Sequence, residues 1–239
     1  MLLTIVIQAR NEEKCLLVTI RELEQVLKIP HRVIVVDDYS NDRTVDVAKE
    51  LVVEYSNIEF TKNDLGPGFT NAIKKGFSQI DRGVVVVVMA DRCNEPSTIV
   101  DMYKKINEGF DIVCGSRYMK GGRREERSFQ GFLSWLVGFS LRIIISMPVH
   151  DCSNAFKMYK KKLLDSIEIK EVGFASSLEI TVKAFIGGYK ITEVPTYSKK
   201  REAGKSKFQI INAGKNYAYW FFWSIFKCYS KRLGLKTCL

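Results

Sequence analysis

Residues 84–96, VVVVVMADRCNEP, set five valines and a methionine against a polar tail that carries Asp91, Asn94 and Glu95. β-Branched side chains sit well on a pleated surface and crowd a helix, so the run reads as a strand. A strand with one wet face alternates apolar and polar residues. This one does not alternate, so both of its faces are expected under cover, as in the middle of a parallel sheet flanked by helices. In such sheets ligands collect beyond the carboxyl ends of the strands. The acid and amide residues after the valines therefore fall where chemistry is expected.

Working outward, strand-like runs occur at 2–8, 33–36, 58–61 and 111–114, and helical patterns lie at 12–28, 43–54, 69–80 and 97–108. This alternation predicts an α/β fold with a mostly parallel central sheet and helices on both faces. Beyond residue 115 the pattern changes. A Gly/Arg-rich loop, SRYMKGGRREERS, is followed by a long apolar segment at 131–149 with Arg142 inside it. Then come a helical stretch around 174–186, a strand ending in ITEVP, the basic stretch SKKREAGKSK at 198–207, and an aromatic helix with a basic tail. With no internal repeat or low-complexity linker, the simplest parsing is a catalytic-sized domain at 1–208 and a C-terminal appendage at 209–239 that is able to associate with a membrane.

The chain has 239 residues, a formal net charge of +10 and 46% hydrophobic residues. That is enough to bury a substantial core, and the charge favours an anionic partner: nucleic acid, phospholipid or a phosphorylated substrate. The basic residues are spread along the chain without a nucleic-acid-binding motif, which argues against nucleic acid. Six cysteines at 15, 93, 114, 152, 228 and 238 form no CxxC pair and are expected as reduced thiols in a cytoplasmic setting. The two histidines, His31 and His150, are too isolated for a zinc site. The opening MLLTIVIQ is too short for a signal peptide and reads as a first strand. The segment at 131–149 carries a charge, and YAYWFFWSIF at 217–226 is about half a bilayer span. Each is read either as a core helix or as a helix lying along a membrane surface.

Several motifs carry chemistry. VIVVDDYSNDRT ends a strand in paired acids, and Ser40 or Asp42 suits the cap of a helix near Arg43. Adjacent carboxylates need satisfying partners, so Asp38 reads as a ligand contact. Gly68, Ala72 and Gly76, spaced by four, make a stripe of small residues for close packing on the sheet. Asp91, with Asn94 or Glu95, offers hard oxygen ligands suited to Mg²⁺ or Mn²⁺; the alternative is that Asp91 caps a helix starting near Pro96.

Taken in order, QARNEE, VVDDYSNDRT, GPGFTNAIKKG, MADRCNEP, IVCGSRYMKGG, HDCSNAFKMY and EVPTYSKKREAGKSK resemble the family-two inverting glycosyltransferases of the GT-A fold. Within that family the pattern is most similar to the dolichol-phosphate mannose synthase and polyprenyl-phosphate branch, over roughly residues 3 to 208. The resemblance implies a nucleotide-sugar site made of Gln8, Arg10, Glu12, Val36, Asp38, Ala90, Asp91, Arg117, Arg201 and Lys207. Gln8 and Arg10 replace the usual Pro and Tyr. It also implies a metal on Asp91 and Asn94, with a single acid where the family carries Asp-Ala-Asp. Arg92 stands where a second acid is expected, a cation able to take over part of the metal's work. Asp91, Arg117 and Asp151 are the implied catalytic residues, with Asp151 an acceptor base, an orienting group or a turn cap. Glu179 and Glu193 fall in matched segments, with a buried structural role as the alternative. The implied activity is transfer of a hexose from GDP-mannose or a UDP-sugar to a polyprenyl phosphate on the cytosolic face of a membrane. A sugar-hydroxyl acceptor, or nucleotide-sugar binding without turnover, are the alternatives.

Overall fold

The computed structural model describes residues 1–126, 128–200 and 210–234, with side chains in the last helix from Gly214 onward. Seven strands form one sheet in the order β3-β2-β1-β4-β7-β5-β8. They are β1 (Leu3–Ala9), β2 (His31–Asp37), β3 (Ile58–Lys62), β4 (Val84–Met89), β5 (Ile112–Ser116), β7 (Lys157–Lys160) and β8 (Ile191–Pro195). All neighbours run parallel except β7, which is antiparallel to both β4 and β5. A small parallel ribbon joins β6 (Arg123–Arg124) to β9 (Tyr197–Ser198).

The valine run is β4, and it is central as expected. Val84, Val86 and Val88 face one layer, with α1 (Leu16–Val26), α2 (Thr44–Glu54) and α4 (Ser97–Asn107). Val85 and Val87 face the other, with α3 (Phe69–Ser78), α5 (Phe129–Ile145), α7 (Ser176–Gly187) and α8 (Ile210–Arg232). Each buried valine is worth roughly 1.5–3 kcal/mol over an exposed one, which is why both faces of this strand are covered. The small-residue stripe does the packing expected of it: a Cβ on Gly76 would lie 2.4 Å from Val6 Cγ1.

Three departures from the sequence reading have local causes. First, α1 starts at Leu16 rather than 12, because residues 11–13 are engaged by the neighbouring β2–α2 loop. Second, β7 was not legible in KMYK; it is a four-residue strand whose Lys157 is fully buried. A short helix, α6 (Lys161–Ser166), follows it directly. Third, α8 packs on α5 and α7 and places Trp220 and Cys228 in the core, so it is continuous with one face of the sheet. The expected boundary at 208/209 lies outside the described residues. Cys114, Cys152 and Cys228 are buried thiols outside any disulfide.

Candidate active site

At the carboxyl ends of β1 and β2, two turns are laced into one unit. Asn11 N donates to Ser40 Oγ at 3.0 Å, Asn41 N to Asn11 Oδ1 at 2.9 Å, and Arg43 N to Glu13 Oε2 at 3.0 Å. Asn11 and Tyr39 adopt positive φ of 56° and 59°, the cost of turning the chain this tightly. Asp42 accepts from Thr44 N at 3.0 Å, serving the start of α2 as the sequence suggested. Burial opposes its charge, but the bonds from Thr44 and Glu13 prevail and hold its carboxyl below the ordinary value.

The paired acids separate by partner. Asp37 Oδ1 accepts from Ser40 N at 3.3 Å. Asp38 Oδ1 accepts from Asn63 Nδ2 at 2.8 Å and from Gly68 N at 2.9 Å, which ties the first turn of α3 to the β2 end. Its Oδ2 lies 3.7 Å from Arg10 Nη1. Asp38 is thus almost fully buried, yet it borders a cavity of about 540 Å³.

Gln8, Arg10, Glu12, Asp38, Asp91 and Arg117 all line that cavity. Met89 lines it too, so Met89 and Asp91, two residues apart, are the pair presented inward at the end of β4. Asp91 Oδ1 accepts from Cys93 N at 3.1 Å, closing a tight turn. It does not cap α4, whose N-cap Pro96 has no side-chain hydrogen bond. Arg92, at φ 62°, pairs with Glu22 on α1 and is not among the residues lining the cavity. Among the described residues no group of three His, Cys, Asp or Glu side chains is disposed to hold a metal.

Arg117 forms the floor. Its Nε and Nη2 donate to Asp151 Oδ2 and Oδ1 at 2.7 and 2.9 Å, and Nη2 also donates to Ser134 Oγ at 3.0 Å. Asp151 further accepts from Arg117 N at 3.2 Å and Asn154 N at 3.2 Å, and it is fully buried. Burial pulls the Arg117 guanidinium down, but the Asp151 charge and hydrogen bonds outweigh it and raise its pKa. Below this pair, Lys157 Nζ donates to the Cys152 carbonyl at 2.8 Å and to Ser177. Burial draws its ammonium below the ordinary value, against the opposing influence of Cys114, Cys152 and Asp151.

Some expected site residues are not brought to the cavity. Val36 is in the core against α3, 3.3 Å from where a Gly76 Cβ would sit. Ala90 is buried, and its carbonyl accepts from Thr19 Oγ1 at 3.0 Å. Asn94 Oδ1 accepts from Met89 N at 2.9 Å and so folds the loop back on its own strand. Asp151 lies behind Arg117, with both oxygens engaged by the guanidinium, and does not line the cavity. Glu179 holds Lys170 N and Glu171 N, each at 2.8 Å, and Glu193 holds His150 N at 2.7 Å. Both are braces, Glu179 fully buried and Glu193 partly so. Arg201 and Lys207 lie outside the described residues.

Other lining residues had no signal of their own: Arg124 within the basic loop, Ser134 and Val137 on α5, Phe174 before α7, and Tyr217 on α8. They are far apart in sequence, and only the packing of α5 and α8 assembles them.

The chain is 30% identical over 219 residues to the dolichol-phosphate mannosyltransferase of Pyrococcus furiosus, covering 87% of this chain and 60% of that protein. It is 26% identical over 216 residues to the polyprenol monophosphomannose synthase of Mycolicibacterium smegmatis, covering 85% of this chain and 79% of that one. Among solved structures, glucosyl-3-phosphoglycerate synthase from Mycobacterium tuberculosis in complex with UDP superposes with a TM-score of 0.69 at 16% identity, covering 98% of this chain and 81% of that chain. The same enzyme with Mn²⁺, UDP-glucose and phosphoglyceric acid also gives 0.69, at 15% identity and covering 98% and 80%. These likenesses establish the GT-A-type fold. Residues 4–168 match the family described as Glycosyl transferase family 2, and the chain belongs to that family.

Proposed function

We propose that the protein moves a hexose from a nucleoside-diphosphate sugar to a polyprenyl phosphate at a membrane surface, with inversion at the anomeric carbon. The observation that carries this reading is the asymmetry of the cavity. Its acids, Glu12, Asp38 and Asp91, all come from the β1, β2 and β4 ends. The end under α5 and α8 offers Leu133, Val137, Phe174 and Tyr217 with Arg117 and Arg124, and among the described residues no carboxylate. A hydroxyl acceptor must give its proton to a base, whereas a phosphate arrives as an anion and can attack directly. A cationic, apolar end without a carboxylate suits the second. Both curated relatives described above are named for transfer to, or synthesis of, a dolichol or polyprenol phosphosugar.

In this reading an acceptor phosphate oxygen forms a bond to the anomeric carbon as the bond to the donor's β-phosphate oxygen breaks, releasing the nucleoside diphosphate. Asp91 is the carboxylate that would hold Mg²⁺ or Mn²⁺, ions that commonly keep substrate phosphates and water as their other ligands. When bound, the ion neutralises charge on the leaving group. Arg117, locked in place by Asp151, presents a preorganised positive charge to the phosphates. Arg201 and Lys207 are assigned to the diphosphate by the family motif.

The surface supports the membrane part. α5 turns Phe132, Trp135, Phe139 and Ile143 outward, and α8 turns out Phe222 and Phe226, each 65% exposed. Exposed Lys215, Lys231 and Arg232 flank them. Among the described residues no helix is long and apolar enough to cross a membrane. Paired helices with an apolar outer face and basic flanks fit the headgroup layer of an anionic, cytosolic leaflet.

The direct test supplies radiolabelled GDP-mannose or UDP-glucose with Mn²⁺, a short polyprenyl phosphate and anionic vesicles. Label should enter the organic phase as an inverted phosphosugar. Label recovered only on a sugar hydroxyl, or on nothing with any nucleotide sugar, would overturn the reading. Phe222→Ser with Phe226→Ser should release the protein from the vesicles.

A further inference from the structure

We propose that Glu171 is a positioning residue for the acceptor end of the cavity: one buried carboxylate ties the Val172–Phe174 wall to α8, so that the C-terminal helix sets where that wall stands. The proposal rests on reading the apolar end as the acceptor end.

Glu171 lies between α6 and α7 and is 7% exposed. Its Oε1 accepts from Val172 N at 3.1 Å, Gly173 N at 2.9 Å and Asn216 Nδ2 at 2.7 Å. Its Oε2 accepts from Trp220 Nε1 at 3.1 Å. Three donors thus converge on one oxygen and one meets the other. Two come from the wall itself and two from α8. Trp220 is gripped a second time, on its face, by the Lys183 ammonium at 4.9 Å from the ring centroid. The indole edge thus meets an anion and its face a cation, as the ring's charge distribution prefers.

The wall is fastened on its other side to the donor end. Gly173 O accepts from Thr70 Oγ1 on α3 at 2.7 Å, and the Phe174 ring stacks on Phe69 at 4.7 Å. Phe174 O accepts from Tyr217 Oη on α8 at 3.1 Å. Apolar packing alone would hold α8 without burying a charge. A carboxylate shared between wall and helix fixes their register as well as their contact, because each bond is directional. Since the outer face of α8 carries Phe222 and Phe226, the helix that meets the lipid surface is also the one that sets the wall.

The test is Glu171→Gln in the full chain, which keeps the shape but turns an amide N–H toward the Trp220 N–H. Amide exchange at Val172 and Gly173 is expected to quicken at least about tenfold, with KM for a two-isoprene phosphate rising by about as much, as loss of a buried charged hydrogen bond implies. Nucleoside diphosphate affinity with Mn²⁺ should stay within about twofold. Adding Trp220→Phe removes the opposing donor and should recover much of the KM. Effects of the two substitutions that simply multiply, donor affinity falling in step with the acceptor KM, or unchanged exchange at the wall would each overturn the proposal. Should the Gln variant not fold, Trp220→Phe alone, which withdraws one donor from Glu171, must show the same selective rise in KM. The exchange measurement needs no substrate, so a wild-type protein that used no polyprenyl phosphate would sink the acceptor reading without masking the result for the latch.

Discussion

Asp151 lies fully buried behind Arg117 and holds its guanidinium through two oxygens, at 2.7 and 2.9 Å. A bidentate pair fixes the guanidinium plane as well as its position, which an ammonium cannot reproduce. The pair is therefore a device for aiming one cation at the cavity.

Asp151→Asn is expected to cost roughly 3 kcal/mol of stability, because it leaves Arg117 buried without its counter-charge. Transfer should fall by on the order of a hundredfold as the guanidinium loses its aim. The loss should be the same for phosphate and hydroxyl acceptors, since the residue faces neither. Urea unfolding and turnover with both acceptor types check this, and a loss confined to the hydroxyl acceptor would restore Asp151 as a base.

The same pair predicts a pH dependence. Burial pushes the Asp151 carboxyl up, but the Arg117 charge and hydrogen bonds outweigh it and hold the pKa below the unfolded value of 3.8. The folded state then binds this proton less readily than the unfolded one. Its stabilisation is complete above 3.8 and drains away as the pH falls through the depressed folded value. The stability difference between wild type and Asp151→Asn should be flat from neutral pH down to about 4 and shrink below it.

Asp91 lines the cavity and its neighbour Arg92 does not, so their variants should separate. Asp91→Ala should abolish the Mn²⁺-dependent rise in Tm produced by a nucleoside diphosphate. Arg92→Ala should leave that rise within about a third of wild type and lower Tm slightly, because Arg92 does not line the cavity and pairs with Glu22 on α1.

Gly138 lets α5 lie directly on the backbone that leads to Asp151. A Cβ there would come within 2.0 Å of the His150 carbonyl oxygen. Gly138→Ala, normally favourable in a helix, should instead destabilise by roughly 1–3 kcal/mol and weaken Arg117-dependent activity. Gly214→Ala, in α8 with open space at its Cβ, should be neutral or stabilising and serves as the control.

Much of this was legible in the residues. The unbroken valines demanded cover on both faces, and β4 has it. The acids closing β1, β2 and β4 do meet at one cavity, because strands of a parallel sheet end on the same side. What misled was local reading of side-chain direction. Asn94 and Asp151 are good ligand types in good positions, yet each is spent on its own scaffold, Asn94 on Met89 N and Asp151 on Arg117. Lys157 gave no hint that it would be buried under the site, since a lysine between apolar neighbours is usually an exposed strand position.

From the sequence alone came the strand ends, the acids they carry and the family pattern, because periodicity and turn chemistry act over a few residues and survive in one dimension. The other half of the cavity was decided only by tertiary packing. Ser134 on α5, Phe174 in the α6–α7 loop and Tyr217 on α8 lie far apart along the chain, and their spacing encodes no common face. They meet because α5 and α8 both have an apolar stripe to bury on the same side of the sheet, and burying it brings their polar edges to the mouth of the site.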